Sequence, residues 1–482
     1  MNLFNIFLII FNFISIILSF SSSDYSLIFP FNTITLNEIE NISLYNDSYT
    51  IGVLRNIFEN NIFINLKLGS PSQNIKLVIN INSDDFFIVR EDAKFDRKYP
   101  KRNGNFYYNQ SLSSTFNYQN GKESDIYYSH PHLSNYVQDN FLFISTNNKN
   151  DELNVKNFSF LLAIEVKEFE HGVIGLKGIA NIKRREDFLT TLKRNNLTNN
   201  YIWYLKYNNS TSGNLIIGNY PHDDEFNKQT CNDCLFQKKH FVKIYSNISE
   251  YNWKNKWGLN FKKILIKDKN VYQEILSDCE KCHMVEFNPN LGIIKGSKKY
   301  EDIIEDSVFN KYMHENLCFK DTITINKNYE DNNYNYYYCN ASIYNELKDL
   351  FKPIQFEHRL FQTNFSLEYN DLFIKENELI FFKIIFDDYY NWIFGSPFFS
   401  KYLFVFNSDT KEIGFYSKNI NNMDETDDIN SNKTNDYFFI KIIVIIILGI
   451  ILIVIGIFIG KKIYGTKRKI RINELEDNFE IQ

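Results

Sequence analysis

The sequence predicts an all-β body held between two apolar terminal segments. Apolar residues alternate with polar ones in short runs, as in Ile62, Ile64, Leu66 and Leu68 and again in Ile75, Leu77, Ile79 and Ile81. A period of two is the signature of strands with one buried face. Helical signals are few and short, the clearest being Asp187 to Lys193 and Ile343 to Phe351. At 482 residues the chain is long enough for two domains and a large core.

Taken in order, residues 1–23 read as a signal peptide. Leu3 to Phe20 is apolar and Ser21-Ser22-Ser23 supplies the small residues of a cleavage region, although no Lys or Arg precedes the apolar run. Residues 24–58 form an N-terminal extension. The strand-rich body follows and ends on a predicted hairpin, in which Tyr402 to Phe406 and Ile413 to Tyr416 flank the turn Asn407-Ser408-Asp409-Thr410. Residues 419–436 are rich in Asn and Asp and nearly devoid of apolar side chains, the composition of a flexible stalk. Residues 437–460 include the unbroken apolar run Ile442 to Gly460. About 20 such residues cross a bilayer, so a single transmembrane helix is expected here. Lys461, Lys462, Lys467, Arg468, Lys469 and Arg471 then place residues 461–482 in the cytoplasm. A charged tail after the span also argues against a glycolipid-anchor signal. The expectation is a single-pass type I membrane protein whose bulk lies in the secretory lumen or outside the cell.

Formal net charge is −5 with both signs interspersed, which implies neither nucleic acid nor an acidic surface as partner. Tyr and Phe number 32 and 45 against 8 Pro and 18 Gly, a bias that an AT-rich genome produces. Aromatic runs such as Tyr329 to Tyr338 therefore need no functional reading. The six cysteines are Cys231, Cys234, Cys279, Cys282, Cys318 and Cys339. In the secretory route, disulfides are favoured over a zinc site, since no His or Cys set completes the two C-x-x-C pairs. No metal or other cofactor is predicted. Asn-x-Ser/Thr sequons from Asn41 to Asn432 suit a luminal domain.

Several local motifs fall in a definite order. Asn61 to Gly69 leads into Gly69-Ser70-Pro71-Ser72-Gln73, and then to Asn80-Ile81-Asn82-Ser83. Ser113-Ser114-Thr115-Phe116, His171-Gly172-Val173-Ile174-Gly175-Leu176 and Ser212-Gly213-Asn214-Leu215-Ile216-Ile217-Gly218 come next. Asn288-Pro289-Asn290-Leu291 precedes Gly292 and the apolar Ile293-Ile294, and Trp392-Ile393-Phe394-Gly395-Ser396-Pro397-Phe398 closes the series. This succession resembles the pepsin-like aspartic peptidases, with G-T/S-P-x-Q, D-T/S-G-S, S-S-T-Y/F, D-G-I-L-G-L, S-G-x-L-x-F-G-G, a second D-T/S-G-T/S and I-L-G-D-x-F. It covers about residues 61–417. The resemblance implies a bilobal all-β fold, with an N-terminal lobe at 59–220, a C-terminal lobe at 221–418 and a cleft between them. It also likens Cys279/Cys282 to the family's small disulfide loop and Cys318/Cys339 to its larger C-lobe loop. Cys231/Cys234 have no such counterpart, and pairing across the two C-x-x-C motifs stays open.

The chemistry departs from the family where it matters most. Such enzymes hold two carboxylates so close that they share one proton, one acting as base toward a water and the other as acid toward the substrate carbonyl. Here Asn80 and Asn288 occupy both positions, and an amide neither accepts nor releases that proton. The third place of each turn, usually Gly, is Asn82 or Asn290, the non-Gly residue that best tolerates positive φ. Ser83 is kept, but its counterpart in the second turn is Leu291. The flap tyrosine maps onto Tyr128, before Ser129-His130-Pro131-His132, and the tryptophan that would orient it is Phe87. Residues 24–59 lack the Lys-rich character of a prosegment that would mask an acidic cleft.

The favoured expectation is a catalytically inactive homologue whose cleft or surface binds an extended peptide or protein partner. The alternatives are a working membrane-anchored aspartic endopeptidase and a non-enzymatic membrane scaffold. Asp84 and Asp85 read as solvated turn residues, because taking either as catalytic breaks the spacing from Gly69. Glu286 precedes Asn288 by two and can share its side of the strand, but one carboxylate makes no pair.

Overall fold

The computed structural model describes residues 26–34, 54, 57–58, 60–95, 104–119, 126–129, 132–145, 152–166, 171–177, 187–221, 241–243, 257–268, 271–274, 284–327, 330–358, 361, 363–387 and 391–416. The alternation read from the sequence becomes the antiparallel pair Asn61–Leu68 and Gln73–Asn80, with Ile64 opposite Leu77 and Leu66 opposite Ile75. Both sets of predicted inward residues are buried. The two helices expected from the sequence form over Phe188–Arg194, where the Asp187 side chain accepts from the Thr190 N–H, and over Tyr344–Leu350. The C-terminal hairpin pairs Leu403–Asn407 with Glu412–Tyr416, and Asn407 Oδ1 accepts from the Asp409 and Thr410 amides to shape the turn.

The described strands form three sheets of fifteen, nine and four strands. In the largest, Leu27–Ile34 lies between Ser212–Ile217 and Asn61–Leu68. Part of the 24–58 extension is thus built into the body, with Leu27, Phe29 and Phe31 buried. That sheet also takes in Leu403–Asn407, Glu412–Tyr416 and Phe241–Lys243, so strands from both ends of the sequence are hydrogen-bonded into one surface. The nine-stranded sheet carries Met284–Phe287 and Trp392–Phe394, and the four-stranded sheet is built on Lys263–Asp268 and Ile354–His358. A single apolar cluster runs from Leu27 and Ile79 through Trp203 and Trp257 to Phe287 and Phe394. Trp203 stacks on Phe406 with ring centroids 4.2 Å apart. The described residues all belong to one compact unit, residues 1–420.

Cys318 and Cys339 face each other across the strands Cys318–Lys327 and Glu330–Asn340 and form a disulfide, the pairing that the resemblance implied. Cys231, Cys234, Cys279 and Cys282 lie outside the described residues. So do the segments expected to form the signal peptide, the stalk, the transmembrane helix and the tail. Among the described residues no helix is long and apolar enough to cross a membrane.

Candidate functional site

Asn80 ends the strand Gln73–Asn80, and Asn288 follows the strand Met284–Phe287 directly. Each strand is backed by a parallel partner. Gly172–Gly175 runs beside Leu77–Asn80, and Trp392–Phe394 runs beside Val285–Phe287. The backing strands hold the turns through main-chain bonds. Leu176 N–H donates to Asn80 O at 3.0 Å, and Asn288 N–H donates to Phe394 O at 2.9 Å. Glycine is needed where the backing strand meets its turn. A Cβ on Gly175 would stand 2.4 Å from Ser83 O, and one on Gly395 would stand 2.0 Å from Ile293 O. The two halves therefore repeat one construction around two asparagines.

Within each turn the first asparagine accepts a bond from the third residue. Asn82 N–H donates to Asn80 Oδ1 at 3.0 Å, and Asn290 N–H donates to Asn288 Oδ1 at 3.2 Å. Both first asparagines are partly exposed. They sit where the spacing placed them, each at the head of its own turn.

Asn82 and Asn290 do something the sequence reading did not foresee. Neither has a positive φ, so tolerance of a left-handed backbone is not what fits asparagine to these positions. Their side chains instead bind across the junction between the halves. Asn82 Nδ2 donates to Phe287 O at 2.9 Å, while Asn82 Oδ1 accepts from Trp257 N–H at 3.1 Å. Asn290 Nδ2 donates to Ile79 O at 2.6 Å, and Asn290 Oδ1 accepts from Ile62 N–H at 3.0 Å. The carbonyls reached belong to the residues just before Asn288 and Asn80, so each amide braces the opposite turn. Asn60 N–H to Asn290 O at 3.1 Å and Gly292 N–H to Phe58 O at 3.1 Å extend the seam. The clue available in the sequence was that both third positions changed to the same amide, which suits a paired side-chain role better than two separate backbone ones.

The remaining predicted residues are less closely gathered. The Ser83 hydroxyl donates to Asp85 Oδ2 at 3.1 Å and accepts from Asp85 N–H at 3.0 Å, so it caps its own loop. Asp85 O in turn accepts from Gly175 N–H at 2.6 Å, which places Asp85 in the loop wall beyond the turn. Phe87 is fully buried among Phe63, Val78, Val89 and Phe106, an apolar setting with no use for an indole N–H. Tyr128 lies on Ile126–Ser129, paired with Leu133 in a hairpin whose other strand begins at His132; its side chain is outside the described residues, as are His130 and Pro131.

Among the described residues, ionisable groups lie beside the first turn and the Asn82 side chain. Glu286 is 5% exposed and its Oε1 lies 3.4 Å from Asn82 Nδ2, so it does share the junction side of its strand. Burial pulls the Lys177 ammonium below the usual lysine range, against the opposing pull of Asp84 and Asp85. Burial likewise lowers Lys411, with the neighbouring Lys177 charge adding to it. Lys411 Nζ donates to Lys177 O at 3.3 Å and lies 5.7 Å from the Trp257 ring centroid. No local motif marks these two lysines or Trp257, since each comes from a different distant segment. The arrangement can orient hydrogen bonds but offers no pair of carboxyl groups in the two turns.

A family model described as eukaryotic aspartyl protease matches residues 61–418. No curated protein matches the chain.

Proposed function

We propose that this chain, which belongs to the eukaryotic aspartyl protease family, is a catalytically silent member that holds an extended peptide or a partner protein at the junction of its two halves. The observation that carries this reading is the presence of amides, Asn80 and Asn288, at the head of both turns. Each is anchored through its oxygen to a turn N–H. No proton is available to be shared there, and general acid–base groups typically contribute about 10²–10⁴-fold each to such a reaction. The turns themselves are kept, with their backing strands and their close-packed glycines, which supports a use for their shape. Extended peptides suit such a place because main-chain hydrogen bonds need no ionisable group. The apolar run Ile442 to Gly460 and the basic cluster after it support tethering by one span, with the body outside the cytosol.

The test is to restore Asp at both positions, Asn80→Asp with Asn288→Asp, and to assay cleavage of unfolded casein at pH 4–6. The reading expects none from the native protein and measurable cleavage from the double variant. A double variant that folds but stays inactive would show that the amides are not the reason for silence.

A further inference from the structure

One terminal strand carries a motif that the proposed function leaves unused. The four-stranded sheet ends on Thr363–Leu367, beyond which no strand lies among the described residues. Phe365 and Leu367 are buried, as are Ile354, Phe356 and His358 on the neighbouring strand. The intervening Gln355, Glu357 and Ser366 are only half-buried and Asn364 is exposed, so the sheet has one packed face and one wet face. Phe365 packs edge-on against Phe261 and Phe415, which fixes the orientation of the strand. Asn364 stands opposite Glu357 on the wet face, and among the described residues its side chain has no hydrogen-bond partner.

The outer edge of this strand is closed at one point. Ser366 N–H donates to the Tyr402 hydroxyl at 2.6 Å, and that hydroxyl donates to Ser366 O at 2.8 Å. One side chain thus occupies both outward main-chain groups of Ser366. Residues two apart on an antiparallel strand turn their main-chain groups the same way, so the N–H and C=O of Asn364 also face out of the sheet. An open edge invites pairing with another chain, and proteins cover such edges. Asn364 opens the triplet Asn364-Phe365-Ser366, an acceptor for an N-linked sugar. Among the described residues no other such triplet begins on a terminal strand. We infer that Asn364 carries an N-linked glycan, which covers the part of this sheet edge that Tyr402 leaves open. The inference rests on the placement of the body outside the cytosol proposed above. Attachment joins Asn364 Nδ2 to the anomeric carbon of a sugar donated by a lipid pyrophosphate. The N–C bond forms, the C–O bond to the pyrophosphate breaks, and the amide gives up one proton as the lipid pyrophosphate leaves.

The experiment expresses the full-length protein in eukaryotic cells, purifies it in detergent and maps its glycopeptides by mass spectrometry. The expected result is a hexosamine-based chain on Asn364 in most copies, and its loss in Asn364→Gln and in Ser366→Ala. Ser366→Ala removes the hydroxyl of the acceptor triplet but keeps the main-chain bonds to Tyr402. Light scattering after size exclusion should show both variants shifted from the native size toward dimers and larger species. Asn364→Lys also lacks the sugar but sets a charge on the edge, and it should restore the native size. Enzymatic removal of the sugar from the folded native protein makes the same comparison if a variant does not fold. A bare Asn364 beside occupied sequons elsewhere would overturn the site while leaving the placement of the body intact. Sugar on Asn364 whose removal leaves the size unchanged would overturn the covering role. Sugar on no sequon at all would overturn the placement outside the cytosol, and this inference with it.

Discussion

Removing the Asn290 side chain should loosen the junction in a way that can be read at a single amide. In Asn290→Ala the Ile62 N–H loses its acceptor at 3.0 Å and the Ile79 carbonyl loses its donor at 2.6 Å. Ile62 and Ile79 are both fully buried, and an orphaned buried polar group costs about 1–3 kcal/mol. Asn290 itself is only half-buried, so water entering the space it leaves offsets part of that sum. The net loss is expected near 2 kcal/mol, toward the low end for two orphaned groups. Urea unfolding would measure it, and amide hydrogen exchange would localise it, with Ile62 exchanging faster. Asn82→Ala should do the same at Trp257 N–H, which is bound to Asn82 Oδ1 at 3.1 Å. Because each amide braces the other's turn, the double variant should lose less than the two single losses added together. A change under about 0.5 kcal/mol, the level of an ordinary surface substitution, together with unaltered exchange at Ile62, would refute the brace.

Other outcomes follow from the same structure. His358 is buried against Phe261 and Phe361, its Nδ1 accepting from Phe361 N–H at 3.2 Å, and burial lowers its pKa from 6.5 to about 4. A depressed folded pKa gives stability that is full above the unfolded value and is lost as pH falls through the folded one. About 3 kcal/mol should therefore disappear between pH 6.5 and below pH 4, and His358→Gln should flatten that part of the profile. Gly175→Ala and Gly395→Ala should each cost about 3 kcal/mol or more, or abolish soluble expression, because the new methyl meets a main-chain oxygen that cannot step aside; thermal unfolding checks it. Breaking the Cys318–Cys339 bond, which closes a separation of 21 residues, should cost about 3 kcal/mol, seen by comparing Cys318→Ser/Cys339→Ser with the native protein in urea.

Much of the fold was legible because it is written in short-range pattern. The alternation over residues 62–68 and 75–81 fixed two strands and their buried faces. The spacing from Gly69 places the first turn at Asn80, whereas the close approach of Gly175 to Ser83 O and of Gly395 to Ile293 O shows only in the folded chain. What escaped notice depends on long-range partners. Leu27–Ile34 looks like any short apolar stretch, and only Ser212–Ile217, far along the chain, makes it an interior strand. The tyrosine run around Tyr334 matches the chain's compositional bias, yet Tyr336 and Tyr337 are wholly buried in the strand Glu330–Asn340. The sequence suggests a backbone role for Asn82 and Asn290. An asparagine in a turn serves either its φ or its side-chain bonds, and the sequence alone does not say which. The structure gives them ordinary φ and four bonds across the junction.

The most direct test is an acid proteolysis assay on the purified, unaltered protein. An unfolded protein substrate would be incubated at pH 4–6 with and without a statine-type inhibitor, and new termini counted by mass spectrometry. With neutral amides heading both turns, the expected result is a count no higher than in a buffer control, and no effect of the inhibitor. Steady cleavage that the inhibitor suppresses would contradict it.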